Sequence, residues 1–254
     1  MMKNARILAF LLGALSLIFA TSCQKELNFD GGGSGTTPKV CIGCAYLPVC
    51  DSSIYTYVDS TAQGIDTNRS TIELLGDSTI GGLKYNRVST LGFFEQGVLY
   101  NCDAQAYKVY VNLAALGFDL QDIIDSLTAG LPFPPGLITP PQQVLITILK
   151  ADAQAGATWK DVILKPTIPL INLEVAINHT LVRRDFTYTV LGKNYPNAIE
   201  VESIVALAGT PPIPSLSFLT LRIVYARDIG ILEGRISANG STTLLRKLSR
   251  VQRF

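Results

Sequence analysis

Cys41-Ile42-Gly43-Cys44, with Cys50 six residues on and Cys102 further along, is the densest concentration of reactive side chains in the 254-residue chain. Two intervening residues let both sulfurs of such a pair meet one another or a common partner. Three chemistries are therefore open: structural disulfides, an exported redox pair and a zinc site. A redox pair wants its thiolate at a helix N-terminus, and Gly43, Pro48 and the aromatic run that follows predict no helix there. Zinc would need Cys50 together with Cys102 or His179 as further ligands. Structural disulfides are the expectation, and four cysteines allow three connectivities that spacing alone does not separate.

The other polar candidates are weaker. His179 is the sole histidine and could serve as a general base, but no Ser-His-Asp order or GxSxG turn accompanies it. It reads as a surface or strand-end residue, and pairing it with Asp161 or Asp185 by spacing would be arbitrary. Asp119, Asp122 and Asp125 recur at intervals of three, which suits a solvated helix edge better than calcium, since the EF-hand order is absent. Asn68-Arg69-Ser70, Asn178-His179-Thr180 and Asn239-Gly240-Ser241 fit a eukaryotic glycosylation pattern, which the N-terminal segment described below makes uninformative. No catalytic, cofactor-binding or metal residue is assigned, and no enzyme activity is favoured.

Strands must position these groups. Ile54 to Val58, Thr79 to Val88 with a turn at Gly81-Gly82, Gly97 to Cys102 and Ala106 to Val111 are short, β-branched and aromatic. They predict an antiparallel meander. Leu120, Ile123, Ile124 and Leu127 fall at helical spacing, before the proline-rich stretch Leu131 to Gly136. Strand rhythm returns with Val144 to Leu149 and runs through Thr158–Leu164, Ile168–His179, Arg183–Leu191, Tyr195–Leu207, Leu219–Ala226, Ile231–Ser237 and Thr243–Leu248. The fold class expected is mainly β: a curved antiparallel sheet or half-barrel with a short helical insertion over 112–142 and proline-rich loops. The loops Leu131–Ile138 and Pro211–Phe218 carry large apolar groups, which either plug one end of the sheet or form the mouth of a groove.

The N-terminus predicts location. Lys3 and Arg6 precede an apolar run from Ile7 to Ala20, about 14 residues against the roughly 20 needed to span a bilayer. Residues 1–22 therefore read as a leader that is removed. Ala20-Thr21-Ser22-Cys23 resembles the bacterial lipobox, which implies acylation of Cys23, with palmitate among the chains. Residues 23–40, rich in glycine, serine and threonine, read as anchor and flexible tether, leaving 41–254 as one β-rich domain with a cysteine-rich cap at 41–60. Loss of Lys3 and Arg6 takes the formal charge from +1 to about −1. Such a balance gives no electrostatic reason to expect nucleic acid. The short basic run Arg246 to Arg253 reads as a solvated edge.

Further residues carry a family resemblance. Cys23-Gln24-Lys25-Glu26 resembles lipoproteins of the Bacteroidota displayed on the outer leaflet. Gly192 to Val201, Leu221 to Glu233 and Thr243 to Leu248 resemble a pattern of exported lipoproteins of that phylum, of Chitinophagaceae type, and the cap sequence before Tyr57 is similar to theirs. Asp228 stands where the pattern has a glycine. The likeness runs from about Gly76 to Leu248 and implies a sheet like that of periplasmic lipoprotein carriers, but no activity. The expected function is a non-enzymatic structural or binding role in the envelope, anchored in the outer membrane and facing either the surface or the periplasm. An apolar, glycan or protein ligand is compatible with it. Carriage of an apolar ligand or lipid and polysaccharide processing or hydrolysis are the alternatives.

Overall fold

Alternation of apolar and polar residues fixes which face of each strand is buried, but not which strand pairs with which. The pairing comes from the computed structural model, which describes residues 41–42, 44–103, 106–112, 121, 141, 143–165, 167–168, 171–209, 216–238 and 240–253. The predicted leader, Cys23, the tether, Asp119, Asp122, Asp125, the loop at 131–138 and residues 211–215 of the loop expected at Pro211–Phe218 lie outside the described residues; Leu216, Ser217 and Phe218 begin a strand instead of belonging to a loop.

The cap contributes β1 (Cys41–Ile42) and β2 (Val49–Cys50), a two-stranded ladder. The strands β3 (Ile54–Thr61), β4 (Gly64–Thr71), β10 (Thr158–Leu164), β11 (Thr167–Ile168), β12 (Ile171–Val190), β13 (Lys193–Gly209), β14 (Leu216–Ala226), β15 (Gly230–Ala238) and β16 (Ser241–Gln252) form a nine-stranded sheet. Its order is β10-β12-β13-β14-β15-β16-β3-β4, with β11 paired on β12. A second, five-stranded sheet follows chain order: β5 (Leu74–Ile80), β6 (Leu83–Leu91), β7 (Phe94–Cys102), β8 (Ala106–Asn112) and β9 (Gln143–Lys150). Every pairing is antiparallel.

This overturns the expected fold class. The strands divide between two principal sheets, each an open path with two edges, and neither closes into a barrel or half-barrel. The physical reason is long-range pairing. β3 is paired with β16 near the C-terminus rather than with the meander it precedes. The meander is thereby left to pair with itself. Among the described residues Gln121, inside the expected helical insertion, is the one in helical conformation. Asn112, where the helical insertion was to begin, ends β8, and of the rest of 112–142 only Gln121 and Pro141 are described.

Local chemistry sets the hairpins. Gly81 and Gly82 both have positive φ, as do Leu191 and Gly192, which is the two-residue turn whose twist matches paired strands. Ile80 thus faces Leu83, and Val190 faces Lys193. The second turn joins strands of 20 and 17 residues, whose ladder shifts register at three places between Leu181 and Tyr188. Asp228 takes φ 61°, a region that aspartate tolerates better than most residues.

One core unites the inner faces of both sheets and the cap. Phe93, at the β6–β7 turn, lies so close over Gly234 on β15 that a Cβ there would overlap its ring. Beside it sits Arg246 on β16, only 5% exposed and therefore no solvated edge. Its Nε and Nη2 donate to the two oxygens of Asp59 on β3 at 2.8 and 2.7 Å, and its Nη1 donates to the Gly92 carbonyl at 2.6 Å. The guanidinium also lies against the rings of Tyr57 and Phe93. Both charges are paired and hydrogen-bonded, the condition for tolerating them in a core. Removing Asp59 (Asp59→Ala) strands the guanidinium and is expected to cost roughly 3–5 kcal/mol. Asp77→Ala, which breaks an exposed pair with Lys84, should cost no more than about 1 kcal/mol. Urea unfolding of both variants reads the contrast, and equal losses would refute the clamp.

Candidate functional site

The strongest polar constellation is built by register. On the core face, Trp159 of β10 stands opposite His179 of β12, and His179 stands opposite Ser203 of β13. Asp161, two residues beyond Trp159, points to the same side of its strand. The imidazole bridges them: Nδ1 lies 2.8 Å from Ser203 Oγ and Nε2 lies 3.0 Å from Asp161 Oδ2. The carboxylate can only accept, so Nε2 carries the hydrogen, and in a singly protonated ring Nδ1 accepts from the Ser203 hydroxyl. The Trp159 ring stacks on the imidazole, with centroids 5.1 Å apart and planes 9° apart.

The cluster also spans the two sheets. β9 and β10 are edge strands of different sheets. Thr147 of β9 donates its backbone N–H to Asp161 Oδ2 at 2.6 Å, and its carbonyl accepts from Trp159 Nε1 at 2.7 Å. Two side chains therefore satisfy the edge backbone where no ladder continues. Burial pushes the Asp161 carboxyl up, but the hydrogen bonds from His179 and from the Thr147 amide outweigh it and hold the group below its ordinary value.

This arrangement corrects the sequence reading of His179, which is 1% exposed in mid-strand rather than at a surface or strand end. Asp161 reaches it, whereas Asp185 pairs with Arg184 instead. Ser203, Trp159 and Thr147 were missed, because their approach follows from strand pairing and leaves no local motif. The composition is that of a nucleophile triad, but the setting is not. Ser203 is 8% exposed and lies within a regular strand, without the sharp turn that presents a nucleophilic serine to substrate. The cluster is equipped to join sheets.

The cysteines form the second site. Cys41 is bridged to Cys50 and Cys44 to Cys102, with Cα separations of 4.0 and 6.3 Å. The two halves of the CxxC spacing thus pair away from each other, and their sulfurs are not free thiolates for zinc or for a shared redox pair. Tyrosines seat the cap between the sheets. Tyr107 Oη accepts from the Tyr46 amide at 3.1 Å, and Tyr100 and Tyr55 donate their hydroxyls to the Leu47 and Pro48 carbonyls at 3.0 and 3.3 Å. The cavity beside the cap, lined in part by Leu47, Tyr55, Tyr57, Thr90 and Ile231, measures about 10 Å³. That is room for about one water, not an acyl chain.

A third cluster lies on the opposite face of the large sheet. Arg183 holds Glu200 and Arg222 holds Glu202 by paired guanidinium contacts, and Glu233 lies 3.7 Å from Arg235 and 3.9 Å from Lys247. Glu200 and Glu233 are buried, and Arg222 is shared, its Nε also lying 3.7 Å from Glu200 Oε1, so the cluster is a partly buried ion network whose cations reach solvent.

No family model matches the chain, and no curated protein matches it. Two crystal structures are similar at low identity. One, described as an exported protein with a YmcC-like fold from Bacteroides fragilis, is 12% identical with a TM-score of 0.43; the match covers 83% of this chain and 100% of the other. The second, described as a lipoprotein from Parabacteroides distasonis, is 8% identical with a TM-score of 0.42 and the same coverage. Both likenesses are distant, and at such scores they carry no argument.

Because the Asp161 carboxyl sits below its unfolded value, the folded state binds fewer protons in that window. Its contribution to stability is complete above the ordinary value near 3.8 and is lost as the pH falls through the lower folded value. Acid titration of urea stability from about pH 5 to about pH 2 should therefore show the advantage of the wild type over Asp161→Asn shrinking as the pH falls. A gap independent of pH would refute the assignment.

Proposed function

We propose that the chain is a bacterial envelope lipoprotein, held in the outer membrane by acyl chains on Cys23, whose β domain at 41–254 serves a structural or binding role. The observation that carries the reading is the pairing of all four cysteines after Cys23 into two disulfides. Structural disulfides persist in oxidising compartments outside the cytosol. Export by the leader at 1–22 supplies that compartment, and Cys23 is the thiol that the lipobox reserves for acylation. Several chains on one residue hold a protein firmly, since each buried CH₂ contributes about 0.8 kcal/mol.

A binding or structural role is favoured over hydrolysis by the burial of the His179 cluster, which places its hydrogen bonds inside the protein. Occupants compatible with the reading are a glycan, a protein or an apolar group. The small cavity beside the cap gives no support to carriage of a whole lipid there.

Growth of a Bacteroidota host with an alkyne-tagged fatty acid tests the anchor. The wild-type protein should take up label on a processed N-terminal cysteine and sediment with membranes, and Cys23→Ala should lose the label. A processed wild-type protein without lipid, or equal labelling of the variant, overturns the proposal. Protease shaving of intact cells then reads which leaflet carries the domain.

A further inference from the structure

The two disulfides differ in what surrounds them. Cys41 is exposed, on a strand of two residues that ends the described part of the cap, whereas Cys50 and Cys44 are buried. The Cys41–Cys50 bridge spans nine residues, and Cys44–Cys102 spans 58, fastening the cap to β7. The rest of the cap does not rely on the short bridge. Tyr46, Leu47 and Val49 are buried, and residues 45–48 are held by Tyr107, Tyr100 and Tyr55 and by the Asp228 amide donating to the Ala45 carbonyl. Opening Cys41–Cys50 thus releases a two-residue ladder, while opening Cys44–Cys102 removes the covalent tie between the cap and the five-stranded sheet. Local openings of this kind cost far less than global unfolding.

We infer that the Cys41–Cys50 bridge is a thiol–disulfide exchange site, attacked at Cys41 Sγ by an external dithiol while Cys44–Cys102 stays closed and the domain stays folded. The attacking thiolate bonds to Cys41 Sγ, the Cys41–Cys50 bond breaks, and Cys50 leaves as a thiolate that takes up a proton. The reagent's second thiol, deprotonated, then displaces Cys41 and closes the reagent into its own disulfide. Two electrons and two protons pass in all from the dithiol to the bridge. In an oxidising compartment the partner class is a small dithiol or a dithiol oxidoreductase. The steps allow the bridge to be reduced, or trapped as a mixed disulfide at Cys41, without loss of the β domain.

Graded dithiothreitol treatment of the folded full chain tests this, with maleimide quenching and peptide mapping of each cysteine. Cys41 and Cys50 should label at a reductant concentration roughly ten-fold below that for Cys44 and Cys102, with the thermal midpoint little changed at that stage. Joint reduction of both bridges, or prior reduction of Cys44–Cys102, overturns the inference. The double variant Cys41→Ser/Cys50→Ser supplies a second measurement. It should keep the folded circular dichroism spectrum and a higher melting temperature than Cys44→Ser/Cys102→Ser; the reverse order overturns the inference equally.

Discussion

Two sheets packed face to face leave unpaired edges wherever they meet, and backbone groups buried at such an edge must find partners that are not strands. At the β9–β10 corner the partners are the side chains of Asp161 and Trp159, which clasp both backbone groups of Thr147. At the opposite corner, where β4 runs into β5, Ser89 does comparable work. Its amide donates to the Glu73 carbonyl, its hydroxyl donates to the Thr71 carbonyl, and the Glu73 amide donates to that hydroxyl. Asp51 adds an acceptor for the Leu74 amide. Each seal joins the sheets without making them one continuous ladder.

That constraint explains why a histidine sits in the core. Asp161 must present an acceptor to the Thr147 amide at a largely buried corner, and a carboxylate there is costly unless donors satisfy it. His179 adds its Nε2–H to the amide and hydroxyl of Thr147, and Ser203 satisfies the ring nitrogen that remains. The resulting row, Trp159, His179 and Ser203, crosses three neighbouring strands on one face. Serine, histidine and aspartate meet here because a sheet junction requires donors and acceptors in series. Catalysis would require in addition a serine presented to substrate, which strand β13 does not provide.

The local elements were largely legible in the residues. Ile54 to Val58, Val144 to Leu149 and Thr158 to Leu164 form strands as their β-branched and aromatic content predicts, and Gly81-Gly82 makes its turn. What could not be read was distance along the chain. The match of Leu248 with Tyr57 decides that there are two sheets, and nothing near either residue announces it. β4 was also hidden, because Gly64 to Thr71 is polar and mostly exposed, so a sheet edge carries no alternation to detect. The same blindness covered the candidate site: Asp161 and Ser203 lie 18 and 24 residues from His179, and only register brings them together.

The cap belongs to the same logic of sealing. Its residues 44–50 bury Tyr46, Leu47 and Val49, yet its ladder has only two pairs of residues, too little to stand alone. Tyrosines from both sheets supply what the ladder lacks: Tyr100 and Tyr107 from the small sheet and Tyr55 from the large one. A tyrosine suits this position because its ring fills apolar space while its hydroxyl reaches a backbone group. The Tyr55 hydroxyl lies within reach of both the Pro48 and Ile229 carbonyls, so one side chain ties the cap to the turn after β14. Cys44–Cys102 adds a covalent tie to β7 on the other side. The cap is therefore held by each sheet separately, and its packing, more than its own secondary structure, keeps this end of the core covered.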